Sequence, residues 1–210
     1  VVHEWWGITK HIHSEARRFA GEGYTAFVAD MYGDGKTADN PKDAGALSGS
    51  VRNNPAAMQS RFVAAKDLLS KHATVDASRI GASGYCFGGS VVLDMARAGL
   101  DLKGVSAFHA GIGASAAPAA AGPVKSKILV QNGGADPFIK PESIDAFKKE
   151  MAAAKVDYSY LVYPGAVHAF TNPEATEKGK QFKLPLAYDA EADKQSKAAA
   201  DKFFSSVFAK

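Results

Sequence analysis

The only cysteine in 210 residues, Cys86, sits in the run Gly84-Tyr85-Cys86-Phe87-Gly88-Gly89. Gly-x-Cys-x-Gly is the nucleophile-elbow pattern Gly-x-Ser-x-Gly with sulfur in place of oxygen. Such an elbow is a tight, strained turn, and side chains two residues before and after the nucleophile would collide with neighbouring backbone. Gly84 and Gly88 relieve that crowding, and Gly89 lets a following helix approach the sheet. A helix start beneath the sulfur favours its thiolate form, and the Phe87 N–H would face an oxyanion developing on a bound carbonyl.

A thiol nucleophile needs a base, and the base needs an orienting acid. Of the six histidines, His11 and His13 fall in an expected helix and read as surface. His72 lies near a helix end, and His3 and His109 lie at strand ends, where they could line the site without acting as base. His168, in Gly165-Ala166-Val167-His168-Ala169-Phe170, follows a strand-like run in a loop of small residues. Asp136, in Gly133-Gly134-Ala135-Asp136-Pro137, follows another such run and stands between Cys86 and His168. Nucleophile, acid, histidine is the chain order of α/β hydrolases. Asp30 also ends a strand-like run, but it precedes the cysteine. The constellation implies attack on an ester-like carbonyl, a thioester, and hydrolysis by water activated by His168. No metal or cofactor is called for.

These residues must be presented by alternating strands and helices. Thr9 reads as the cap of a helix carrying Ile12, Ala16, Phe19 and Ala20, and residues 24–30 (YTAFVAD) read as a buried strand. The polar residues 31–53 read as a loop or lid. Asn54-Pro55 marks a helix start, followed by the stripe Met58, Phe62, Ala65 and Leu69. RIGAS, GVSAF, KILVQN and DYSYLVY read as strands, with a helix after the cysteine. Residues 141–154 and 188–208 read as amphipathic helices, and residues 114–121 (ASAAPAAA) as a loop. The pattern implies an α/β fold, a mostly parallel sheet with helices on both faces. Ligands of such sheets gather at the carboxyl ends of the strands.

Composition agrees with one domain over residues 1–210: 46% of residues are hydrophobic and 22% charged. A formal charge of +3, spread along the chain, points to neither nucleic acid nor membrane as partner. A single cysteine forms no intrachain disulfide, and no apolar run has the length of a transmembrane span. The opening VVHEWWG reads as the end of a strand, so the chain is expected to begin inside a longer protein. A cytoplasmic location is expected, with the periplasm as the alternative.

The chain resembles the dienelactone hydrolases, cysteine-dependent members of the α/β-hydrolase fold. The likeness runs through HEWWG (3–7), GYTAFVADMYGDG (23–35), GYCFGG (84–89), GGADP (133–137) and GAVHAF (165–170). It implies the triad Cys86, Asp136 and His168 and cleavage of a small ester or lactone. It further implies that Glu4 contacts the resting thiol and assists its ionisation, and that the Trp5 N–H is a second oxyanion donor beside Phe87. Two departures stand out. The family usually carries strands before the opening motif. Its arginines for a substrate carboxylate lie after the MYGDG block, where this chain has Arg52 and Arg61. Trp5, Trp6, Tyr85 and Phe87 are expected either to form an aromatic mouth or to serve as packing. The competing reading is a non-catalytic thiol protein, a redox sensor or small-molecule binder, because an exposed thiolate is readily oxidised.

Overall fold

The computed structural model describes residues 1–114 and 123–209. The alanine-rich loop expected at 114–121 lies, from residue 115 onward, outside the described residues. The order of elements is α1 (Lys10–Gly21), α2 (Pro41–Arg52), α3 (Pro55–Ser70), β1 (Ala82–Tyr85), α4 (Phe87–Arg97), β2 (Gly104–Phe108), β3 (Lys127–Gly133), α5 (Pro141–Ala153), β4 (Tyr158–Tyr163), α6 (Ala175–Phe182) and α7 (Ala190–Val207). The four strands form a parallel sheet in the order β1-β2-β3-β4.

The period of two along each strand divides the core between the two faces. Ala82, Val105, Ala107, Ile128 and Val130 pack with α3, α4 and α5 through Phe62, Val91, Val92, Met95, Phe147 and Met151. Tyr85 and Phe108 turn to the other face and meet Ile12 of α1 and Ala200 of α7. The expected two-faced parallel architecture is therefore present.

Four local expectations are corrected. Residues 24–30 form no strand. Their pairing is confined to the start of the chain, where Ala29 bridges Val2 and its N–H donates to Val1 O at 2.9 Å. Residues 31–53 are not all loop, because α2 occupies their second half. Asn40 caps it, accepting from the Asp43 N–H at 3.0 Å, and Pro41 opens it, the same signature as at Asn54-Pro55. Thr9 occupies the N-cap of α1 but makes no capping bond. The buried residues of α1 are His11, Ile12, Glu15 and Phe19, so His11 is not a surface residue. Helix α6 carries no clear signal in the sequence: its residues are mostly polar, and only Ala175 and Gly179 are buried.

Candidate functional site

Strand β1 runs into α4 through one residue, Cys86, whose φ of 54° and ψ of −115° make the turn. A side chain at 84 would overlap the carbonyl of Gly88, and one at 88 would overlap the carbonyls of Val2 and His3. At Gly89 an added Cβ would lie 2.6 Å from the Ala110 Cβ, so helix and sheet meet there without a spacer. The Cys86 N–H donates to Phe108 O at 3.0 Å, fixing the elbow to β2. The thiol is half-buried at the start of α4. There the first N–H groups, Phe87 among them, have no carbonyl partner within the helix.

His168 and Asp136 arrive from two loops that are bonded to each other. The Ala135 N–H donates to Ala166 O at 3.0 Å, and a side chain at Gly133 would overlap that same carbonyl. His168 Nδ1 donates to Asp136 Oδ2 at 2.7 Å, and His168 Nε2 stands 3.1 Å from Cys86 Sγ. Asp136 Oδ1 accepts from the Phe138 N–H at 2.9 Å, so both carboxylate oxygens are engaged. Burial opposes charge on the His168 ring. The negative charge of a Cys86 thiolate and the bonds to Asp136 and Cys86 outweigh it, raising the pKa to about 10. The His168 ring therefore favours the imidazolium at neutral pH.

Glu4 is buried beside this pair, and burial raises its pKa. Its Oε2 accepts from Asn172 Nδ2 at 2.7 Å, while the hydrogen bond of the thiol is to His168. The Trp5 carbonyl accepts from the Tyr32 hydroxyl at 2.9 Å. Behind His168 stands His109, edge-on at 5.4 Å between ring centroids; burial holds its pKa well below the usual histidine value. His109 Nε2 meets Thr171 Oγ1 at 2.8 Å, and Thr171 in turn meets His11 Nε2 at 3.3 Å.

The aromatic side chains are mostly packing. Trp6 is 2% exposed, and Tyr85 and Phe87 are fully buried. Trp6 packs against Ala44, Ala169 and Leu186. The Tyr85 hydroxyl donates to Glu15 Oε2 at 2.8 Å on the α1 side of the sheet, away from the elbow face. Neither lines a mouth, because strand alternation and core packing turn them inward. Trp5 is half-buried, and Phe138, 54% exposed, lies edge-on to His168 at 5.1 Å. Arg61 donates from Nη1 to Met31 O at 2.7 Å and so braces a loop. Arg52 is exposed, with its guanidinium 5.4 Å from the Phe87 ring centroid.

Sequence reasoning places His109 at a strand end where it could line the site, and the structure sets it beside His168; it does not single out Asn172, Thr171 or Tyr32. Asn172 and Thr171 lie four and three residues beyond His168, and that closeness is the one available signal. Among the described residues no group of three or more His, Cys, Asp or Glu is placed to hold a metal ion, and no helix is long and apolar enough to cross a membrane.

The profile of the dienelactone hydrolase family matches residues 1–208. The chain is 32% identical over 176 residues to Protein usf of Aquifex pyrophilus, covering 82% of this chain and 75% of that one. It is 33% identical over 181 residues to a Methylorubrum extorquens protein provisionally named a carboxymethylenebutenolidase, covering 81% of this chain and 62% of the other. A solved structure titled as a dienelactone hydrolase-like promiscuous phosphotriesterase from metagenomic libraries superposes with a TM-score of 0.89. That protein is 34% identical, and the match covers 98% of this chain and 84% of the other.

Proposed function

The chain belongs to the dienelactone hydrolase family, and on that premise we propose that it opens small esters or lactones with Cys86 as nucleophile, His168 as proton carrier and Asp136 as orienting acid. The family and its fold make it an α/β hydrolase acting on carboxylic esters or lactones. The observation that carries the finer reading is the unbroken line from Cys86 Sγ through His168 to Asp136, with contacts of 3.1 and 2.7 Å.

In this mechanism the Cys86 thiolate adds to the substrate carbonyl. The oxyanion takes hydrogen bonds from the N–H groups of Phe87 and Trp5. As the tetrahedral adduct collapses, the imidazolium of His168 gives its proton to the departing oxygen. In a lactone that oxygen stays tethered to the acyl group, so opening the ring leaves a hydroxy- or enol-bearing thioester on Cys86. His168, now neutral, accepts a proton from water as the water attacks the thioester. Collapse of the second adduct releases the carboxylic acid and regenerates the ion pair. Asp136 holds Nδ1 protonated throughout, which keeps Nε2 directed at the reacting atoms.

Glu4, held by Asn172, is the carboxyl that the family likeness assigns to assisting ionisation of the thiol. The relative's name points to an unsaturated five-membered lactone as the kind of substrate to try first. Cys86→Ala is expected to abolish hydrolysis of an activated ester and of such a lactone while the circular dichroism spectrum stays native. A folded variant with undiminished turnover would refute the assignment.

A further inference from the structure

The segment carrying Glu4 and Trp5 is held by His3, a fully buried residue to which the mechanism assigns no step. The Met31 N–H donates to His3 Nε2 at 3.1 Å. A backbone amide can only donate, so Nε2 is the unprotonated nitrogen and the neutral ring carries its proton on Nδ1. That Nδ1–H donates to Glu4 O at 2.6 Å. Burial, opposed by this bond and by Asp30, lowers the ring's pKa and keeps it neutral. The same Glu4 carbonyl also accepts from the Gly7 N–H at 3.1 Å.

Glu4 C=O and Trp5 N–H belong to one peptide plane. In a trans peptide the two point in opposite directions, and the described chain contains no cis bond. With the carbonyl doubly anchored on the His3 side, the Trp5 N–H has to face the opposite way. The next peptide is held as well, since the Trp5 carbonyl accepts from Tyr32. The carbonyls of Val2 and His3 lie against Gly88, which brings this segment onto the elbow. We infer that His3 is the positioning residue of the oxyanion hole: its Nδ1–H to the Glu4 carbonyl locks the Glu4–Trp5 peptide with the Trp5 N–H turned toward the nucleophile. The inference rests on the reading of Cys86 as nucleophile.

Two replacements separate the two bonds of the ring. His3→Asn puts an amide nitrogen where Nδ1 stands, retaining the donor to Glu4 O and losing the acceptor for Met31. His3→Gln puts its amide where Nε2 stands, retaining the Met31 contact and losing the donor to Glu4. The readout is the rate of Cys86 acylation by p-nitrophenyl acetate, compared with its alkylation by iodoacetamide, a reaction that forms no oxyanion. Loss of one oxyanion donor lowers acyl transfer by about 10²- to 10³-fold. The expected result is that drop in His3→Gln with alkylation unchanged, and acylation largely retained in His3→Asn. Wild-type acylation in His3→Gln, or an equal loss in both variants, would overturn the inference. In the wild-type protein, ring ¹⁵N shifts are expected to show a neutral His3 protonated on Nδ1; a proton on Nε2 would overturn it too. Failure of these tests leaves the Cys86→Ala result standing, whereas a fully active Cys86→Ala would remove the nucleophile itself.

Discussion

Replacing Asp136 by Asn tests how the charge on His168 is maintained. The rise of that ring from 6.5 to about 10 corresponds to roughly 5 kcal/mol favouring the imidazolium. The thiolate of Cys86 is the first of the raising causes, and Asp136 contributes both a hydrogen bond and a charge. The Asn variant lacks that charge, so the His168 pKa should fall and the imidazolium lose ground to the neutral ring. A second loss arises from geometry. The Asn amide can donate to Nδ1, which moves the ring proton to Nε2, and the corresponding change in a serine triad costs about 10⁴ in kcat. Thiols ionise more readily than hydroxyls, so the expected fall in kcat/KM lies between about 10² and 10⁴. The assay is hydrolysis of an activated ester across pH, with the His168 pKa followed by NMR. In the wild-type protein the raised folded-state pKa stabilises the fold fully below pH 6.5, and that stability is lost as pH rises through about 10. The variant should show a smaller decline in melting temperature over that window. Undiminished turnover together with an unmoved His168 pKa would refute the reasoning.

Gly84→Ala drives a Cβ into the Gly88 carbonyl; a loss of about 3 kcal/mol or more is expected by chemical denaturation, since backbone cannot yield as a side chain can. Tyr85→Phe removes the buried hydroxyl bonded to Glu15. It should lower stability by about 1–3 kcal/mol and leave KM unchanged, whereas a raised KM would return Tyr85 to the substrate site. Arg52→Ala should raise KM for an ester bearing a carboxylate and not for a neutral one, because the exposed guanidinium lies over Phe87. Arg61→Ala should cost stability with no such split, since its Nη1 is bonded to Met31 O.

The elbow was legible in the sequence because its glycines answer a steric demand that no other residue meets. Asp136 and His168 were legible because a parallel sheet brings the loops after its strands to one edge, and both residues lie in such loops. The depth of the aromatic residues was not legible. Tyr85 adjoins Cys86 in the chain, but strand alternation sends it to the opposite face, a direction that adjacency does not reveal. Helix α2 carries the same Asn-Pro start as α3, yet its polar, glycine-containing run hides a narrow buried face of Ala44, Ser48 and Val51. The bond between Glu4 and Asn172 joins residues 168 positions apart, and no local pattern announces a contact of that range. His3 belongs to the same class, because its role depends on a carbonyl and an N–H that only the folded chain brings to its two nitrogens.

The central claim is that one sulfur, at Cys86, carries the acyl group. Mass spectrometry of the protein quenched during turnover of p-nitrophenyl acetate, with peptide mapping, tests it directly. The account predicts an added acetyl mass on the peptide containing Cys86, accumulating further when His168 is replaced by Gln, whose side chain cannot activate water for deacylation. Turnover with an unmodified Cys86 peptide, or with the acetyl group on another side chain, would contradict it.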